Sequence, residues 1–196
     1  MDIQILKTQK GNKIAGLYLL KPNLYQDDRG YFYESWNQRE FQKLISKKID
    51  FVQDNHSESC KGTLRGLHFQ LNPFAQAKLV RCTKGEIYDV AVDLRKNSQS
   101  YGEWTFVYLN EKNKYQFWIP EGFAHGFLTL SERAEVQYKT NNFWSKESDK
   151  TLIWNDKDLN IVWPLKKINL SEPLLSEKDK YGLSFTDIKN LSYIFE

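Results

Sequence analysis

The spacing of its apolar runs constrains this chain more than any other feature. Seven segments, Thr63–Leu71, Ala77–Thr83, Glu86–Leu94, Trp104–Leu109, Gln116–Pro120, Phe127–Leu130 and Ala134–Thr140, are short and rich in β-branched or aromatic residues. Turn material separates them at Lys84-Gly85, Asn97–Gly102, Asn110–Lys114 and Glu121-Gly122. Many short strands at near-regular spacing predict a mainly β fold, a sandwich or barrel. Composition agrees: aromatics make up 15% of the residues against a single Met, which suits pleated, half-buried strands. A helical pattern is confined to Asn37–Lys47, where Phe41, Leu44 and Ile45 recur at i, i+3, i+4. Ile14–Leu20 is an apolar run of strand length. With 196 residues the chain is expected to be one domain, able to bury a core without staples. We divide it into N-terminal strands and helix (1–50), a core (51–164) and a C-terminal extension with short helical turns (165–196).

Several function classes are disfavoured at once. A formal net charge of +3 lacks the strong positive bias of a dedicated nucleic-acid binder. Two cysteines, Cys60 and Cys82, make neither a disulfide scaffold nor a zinc pattern, and are expected as reduced thiols. No hydrophobic leader opens the chain and no run is long enough to span a bilayer, so a cytoplasmic protein without membrane association is expected. Gly-rich phosphate loops and a Gly-x-Ser-x-Gly elbow are missing, which argues against nucleotide hydrolysis, dinucleotide binding and serine catalysis.

The chain has three histidines. His56 lies in a polar stretch, His68 in Leu64-Arg65-Gly66-Leu67-His68-Phe69-Gln70, and His125 in what reads as a turn leading into a short strand. Strand alternation puts Leu64, Gly66, His68 and Gln70 on one face and Arg65 on the other, unless Gly66 marks a bulge that brings Arg65 and His68 together. Pro120-x-Gly122-x-x-His125 resembles the second motif of the cupin superfamily, whose barrels often hold a metal. The first cupin motif needs two His one residue apart and a Glu, and His68-Phe69-Gln70 supplies a single His. No metal is therefore expected.

A more specific resemblance covers most of the chain in order. Arg65 to Gln70, Gln76-Ala77-Lys78-Leu79-Val80-Arg81, Gly85-x-x-x-Asp89-Val90-Ala91-Val92-Asp93-x-Arg95, Trp118 to Phe127, and Trp154-Asn155-Asp156 resemble the dTDP-4-dehydrorhamnose 3,5-epimerase family. The likeness runs from Asp28-Arg29-Gly30 to Leu175-Ser176-Glu177-Lys178-Asp179. It implies a metal-free, cupin-type jelly-roll β-sandwich, no cofactor, and a homodimer with exchanged N-terminal strands. The implied substrate is a nucleoside-diphosphate 4-keto-6-deoxy sugar. Its C3 and C5 protons are acidified by the C4 ketone, so inversion needs a base, an enolate stabiliser and an acid on the opposite face.

By the same resemblance His68 is the base, Asp179 its orienting carboxylate, Lys78 the cation near the ketone and Tyr138 the general acid. Arg29 and Glu34 would reach the neighbouring subunit's site. Gln53, Asn55, Arg65, His125, Asp149 and Lys178 would contact substrate. Trp144 would stack on the base: Phe143-Trp144 stands where the family commonly has two Tyr, and Asp149 where many relatives have Glu. These departures leave open the carrier (dTDP or GDP), a hexose or a heptose, and inversion at one carbon or both. Two other readings remain open: a non-catalytic sugar-nucleotide or glycan-binding cupin, and a metal-dependent cupin enzyme.

Overall fold

The computed structural model describes residues 1–191 and 195. Its strands are β1 (Asp2–Lys7), β2 (Lys13–Lys21), β3 (Tyr25–Asp27), β4 (Gly30–Phe32), then, after helix α1 (Gln38–Ile45), β5 (Gln53–Cys60), β6 (Leu64–Gln70), β7 (Lys78–Lys84), β8 (Glu86–Asp93), β9 (Trp104–Asn110), β10 (Gln116–Ile119), β11 (Phe123–Thr129), β12 (Arg133–Thr140) and β13 (Asp149–Thr151). A 3-10 turn (Leu165–Ile168) and two short helices, α2 (Glu177–Lys180) and α3 (Phe185–Lys189), follow. Six strands form one sheet in the order β1-β2-β10-β7-β12-β5, five form another in the order β13-β6-β11-β8-β9, and β3-β4 is a separate hairpin. This is the expected cupin-type jelly-roll sandwich.

Side-chain alternation builds the layers. Val80, Cys82, Phe117, Ile119 and Val136 of the six-stranded sheet meet Ile87, Ala91, Val107, Leu109, Phe123 and Phe127 of the five-stranded sheet. The outer face of the first sheet carries Leu20, Leu79 and Trp118, against which α1 lays Phe41. Asn37 caps α1 by accepting from the Glu40 N–H, so the helical signal is realised as read. The outer face of the second sheet carries Tyr88, Val90 and Val92. It is covered by Leu152, Leu159, Ile161, Trp163, Ile168, Phe185 and Ile188 from the C-terminal part of the chain.

Two local readings need correction, and the alternative left open at Gly66 is decided in favour of the bulge. Gln53–Cys60 is a strand although it holds no apolar run, because one face turns to the cavity and the other to solvent. β11 begins at Phe123, so His125 sits inside a strand and not in a turn. The parity of β6 is broken by a bulge: His68 pairs with His125, but Arg65 pairs with Phe127, three residues against two. Leu64 therefore packs with Leu67 and Phe69 in the cluster under the C-terminal extension. Arg65 and His68 instead both line the cavity. Gly66 permits this: it holds φ +119°, and a Cβ there would lie 2.6 Å from Gly126 Cα.

Candidate active site

The two sheets part at one end around a cavity of about 650 Å³. Arg65 and His68 (β6) and His125 (β11) line it from the five-stranded sheet, Asn55 (β5), Lys78 (β7) and Tyr138 (β12) from the six-stranded sheet, and Ser176, Lys178 and Asp179 from the C-terminal extension. A smaller hollow of about 220 Å³ shares Asn55, His56 and Tyr138 and lies apart from the His68–Asp179 pair.

His68 Nε2 lies 2.6 Å from Asp179 Oδ1 across 111 residues of sequence. Asp179 is almost wholly buried, with 5% of its side chain exposed, while the His68 side chain keeps 31%. Burial alone would raise the Asp179 carboxyl, but the His68 and Ser176 hydrogen bonds outweigh it and hold its pKa below the usual value. The carboxylate is thus an acceptor, which puts a proton on Nε2 and leaves Nδ1 as the basic nitrogen. Burial lowers the His68 pKa; Asp179 opposes this, and Lys78 and Lys178 add to it. The ring is neutral at pH 7 and able to accept a proton.

Lys78 is buried and donates to the His68 carbonyl at 3.3 Å. Burial lowers its pKa to about 8, against the pull of Asp149 and Asp89. Tyr138 faces the five-stranded sheet across the cavity. Burial raises its pKa, Arg65 offsets part of that, and Asp149 adds to it. The phenol is therefore protonated at neutral pH, a proton donor on the wall opposite His68. Arg65 is fixed by donating to Ser59 Oγ at 2.9 Å and to the Glu58 carbonyl at 3.1 Å.

A second His–carboxylate pair lies beside the first. His125 Nε2 is 2.6 Å from Asp89 Oδ1, both groups are buried, and Asp89 Oδ2 has no hydrogen-bond partner among the described residues. Nε2 of each cavity histidine is thus engaged by a carboxylate. Among the described residues, no three His, Cys, Asp or Glu side chains converge as a metal-ligand set.

A polar chain runs along the rim. Gln53 donates to Asn55 Oδ1 at 3.0 Å and accepts from the Trp144 N–H at 3.1 Å. The Trp144 indole N–H donates to Asp149 Oδ2 at 3.1 Å, and the Lys178 ammonium meets the same oxygen at 2.5 Å. Trp144 is 57% exposed, leaving indole surface free. His56, 3.3 Å from Glu135, is a rim residue. Arg29 and Glu34 stand apart from this cavity. Arg29 pairs with Asp27 at 2.6 Å, and Glu34 accepts from Asn37 at 3.1 Å. The sequence reading missed Asp89 and Ser176. A carboxylate inside the apolar strand Ile87-Tyr88-Asp89-Val90-Ala91 is the signal for the first, since such a group requires a buried partner.

Residues 11–187 match the sequence profile of dTDP-4-dehydrorhamnose 3,5-epimerase. The chain belongs to this family. Its epimerase class agrees with a cavity that sets a His–carboxylate pair and a protonated phenol on facing walls. The curated dTDP-4-dehydrorhamnose 3,5-epimerase of Shigella flexneri is 51% identical over 185 residues, 94% of this chain and 97% of that one. A crystal structure of dTDP-6-deoxy-D-glucose-3,5-epimerase from Legionella pneumophila, in complex with dTDP-4-keto-L-rhamnose, superposes with a TM-score of 0.87. It is 39% identical and the match covers 100% of this chain and 99% of that one. A 3'-monoepimerase from Streptomyces bikiniensis in complex with dTDP-quinovose superposes with a TM-score of 0.84 at 27% identity, over 91% and 88% of the two chains. Among the described residues no helix is long and apolar enough to cross a membrane.

Proposed function

We propose that this epimerase inverts C3 and C5 of a dTDP-linked 4-keto-6-deoxyhexose by proton transfer through an enolate. The observation that carries this reading is the His68–Asp179 pair facing Tyr138 across one cavity, with the buried Lys78 ammonium beside them. The carrier and sugar follow the Shigella and Legionella relatives, which are more similar than the monoepimerase.

Neutral His68 removes the proton from C3 or C5. The electrons of the broken C–H bond form a double bond from that carbon to C4, and the ketone oxygen becomes negative. Lys78 stabilises that oxygen, an interaction strongest in a site shielded from water. Tyr138 delivers a proton to the opposite face of the same carbon, and solvent exchange restores both groups. Asp179 stabilises the imidazolium. Arg65 and Lys178 offer cations to the diphosphate, Arg65 as a planar fork. His125, Gln53 and Asn55 orient the sugar and nucleotide, Trp144 stacks on the base, and Asp149 holds the indole N–H. No cofactor enters this chemistry, because the ketone itself acidifies both carbons.

The working unit is proposed to be a homodimer, with the whole chain acting as one domain. β1 and β2 pair within this chain's own sheet, so β3–β4 is the element free to cross. The hairpin exposes Tyr25, Tyr31 and Phe32; in the proposed dimer it would bring Arg29, and Glu34 just beyond it, to the partner subunit's cavity. Sedimentation at working concentration is expected to give a dimer, and a fully active monomer would remove this part.

The reaction is tested by solvent deuterium uptake at C3 and C5, read by NMR. His68→Ala should abolish uptake while dTDP still binds. Tyr138→Phe should retain uptake but slow inversion by roughly 10²–10⁴-fold. Uptake in His68→Ala, or wild-type inversion by Tyr138→Phe, overturns the respective role. Deuterium uptake with a GDP-linked heptose but not with the dTDP sugar would overturn the substrate.

A further inference from the structure

Asp179 is part of a Ser-x-x-Asp pattern, and this chain starts two helices with that pattern. At α3 it forms a complete capping box. Ser184 Oγ accepts from the Asp187 N–H at 3.0 Å, Asp187 Oδ2 accepts from the Ser184 N–H at 3.0 Å, and the hydroxyl donates to the same carboxylate oxygen at 2.6 Å. Asp187 is exposed and makes a helix end and nothing more.

At α2 the same four-residue pattern is used differently. Ser176 Oγ again accepts from the Asp179 N–H, at 3.2 Å, and its hydroxyl donates to Asp179 Oδ2 at 2.8 Å. Unlike that of Asp187, the Asp179 carboxylate does not accept from the backbone N–H of the cap residue. It is buried, and Oδ1 goes to His68 Nε2 at 2.6 Å. One hydroxyl therefore takes the backbone N–H and one carboxylate oxygen of the same residue, leaving the other oxygen for the imidazole. A carboxylate held by one oxygen alone can rotate about its Cβ–Cγ bond; held at both, its plane is set.

We infer that Ser176 is a positioning residue for epimerisation, whose hydroxyl fixes the plane of the Asp179 carboxylate and through it the orientation and basicity of His68. This rests on the reading of His68 as the base. The other charged and titratable groups around the pair are Lys178 of α2, Lys78 of β7, Asp149 of β13, Arg65 of β6, Tyr138 of β12, His56 and Cys60 of β5 and the His125–Asp89 pair of β11 and β8. Substitution of Ser176 leaves all of them in place. Loss of the hydroxyl therefore acts through Asp179: a carboxylate free to turn raises the His68 pKa less.

The test compares Ser176→Ala, Ser176→Gly and Ser176→Thr with wild type and His68→Ala, using the dTDP-linked 4-keto sugar. The loss of one hydrogen bond to a charged group predicts about a tenfold fall in kcat for Ser176→Ala, with KM within about twofold. The acid limb of kcat/KM should move to lower pH. Ser176→Thr restores the hydroxyl and should recover most of the rate. Gly is nearly as good an N-cap as Ser, so Ser176→Gly separates capping from the hydroxyl. It should be as slow as Ser176→Ala. Wild-type rates in Ser176→Ala or Ser176→Gly, or an acid limb that does not move, would overturn the role of Ser176 while leaving a dead His68→Ala to support the base. Exchange persisting in His68→Ala would overturn both.

Discussion

Replacing Asp179 by Asn isolates what the buried carboxylate contributes. The two side chains have nearly the same shape, so the amide can still accept from the Ser176 hydroxyl or from His68, and the helix α2 is untouched. What disappears is the negative charge 2.6 Å from Nε2. A hydrogen bond to a charged partner contributes about 1.5–3 kcal/mol, and the charge matters most once His68 has taken a proton. At about 1.4 kcal/mol per decade, proton abstraction should slow by roughly 10- to 150-fold. The wild-type carboxylate also raises the His68 pKa against burial, so its loss lowers that pKa further and makes the base weaker. The assay is single-turnover deuterium uptake at C3 and C5, with calorimetric titration of dTDP to show that the nucleotide still binds. Uptake within about twofold of wild type, with an unmoved acid limb, would refute the argument that Asp179 acts by stabilising the imidazolium.

The cavity and the bulge beneath it set further expectations. The free enzyme's kcat/KM should be bell-shaped in pH. It falls as pH drops through the lowered His68 pKa, because the base becomes charged, and falls as pH rises through about 8, because Lys78 loses its charge. Lys78→Met should lose about 10²–10³-fold in kcat, and its residual activity should lack the alkaline limb; retention of that limb would assign it to another group. Gly66→Ala should cost about 1–3 kcal/mol through its backbone conformation alone. That corresponds to a fall in Tm of roughly 2–4 °C per kcal/mol in a domain this size. It should also slow the reaction by disturbing Arg65 and His68 together. A Gly66→Ala protein with the wild-type Tm and rate would refute the close approach at Gly126.

The structure explains which parts of this molecule were readable in its sequence. α1 was legible because it packs one face on a sheet, so Phe41 and Ile45 recur at helical spacing. The central strands were legible because each lends alternate side chains to a core. β5 was not, because it is the last strand of its sheet and its inward residues, Asn55 among them, line a polar cavity instead of a core. β11 was cut short because Gly122 read as a turn residue and Gly126 interrupts the run of larger side chains. Gly126 is instead a place of close approach: a Cβ there would lie 2.7 Å from the Arg65 carbonyl oxygen.

The proposed catalytic constellation was hidden for a related reason. His68, Lys78, Tyr138 and Asp179 share no local period, since they sit on three different strands and a helix brought together by the sandwich. Resemblance named them, but it did not carry the geometry that makes the assignments physically coherent. That geometry depends on a defect. An unbroken β6 would send Arg65 and His68 to opposite faces, one into the cavity and one toward the C-terminal cluster. The bulge puts both on the cavity side, while Leu64 and Leu67 stay in the cluster beneath the C-terminal extension. The same extension that seals that cluster delivers Asp179 to His68 and Lys178 to Asp149. Burial of Leu159, Ile161, Trp163, Phe185 and Ile188 therefore secures the segment that carries Asp179. Mutations that loosen this packing should slow epimerisation without touching the cavity wall, because they free Asp179 before they unfold the sheets.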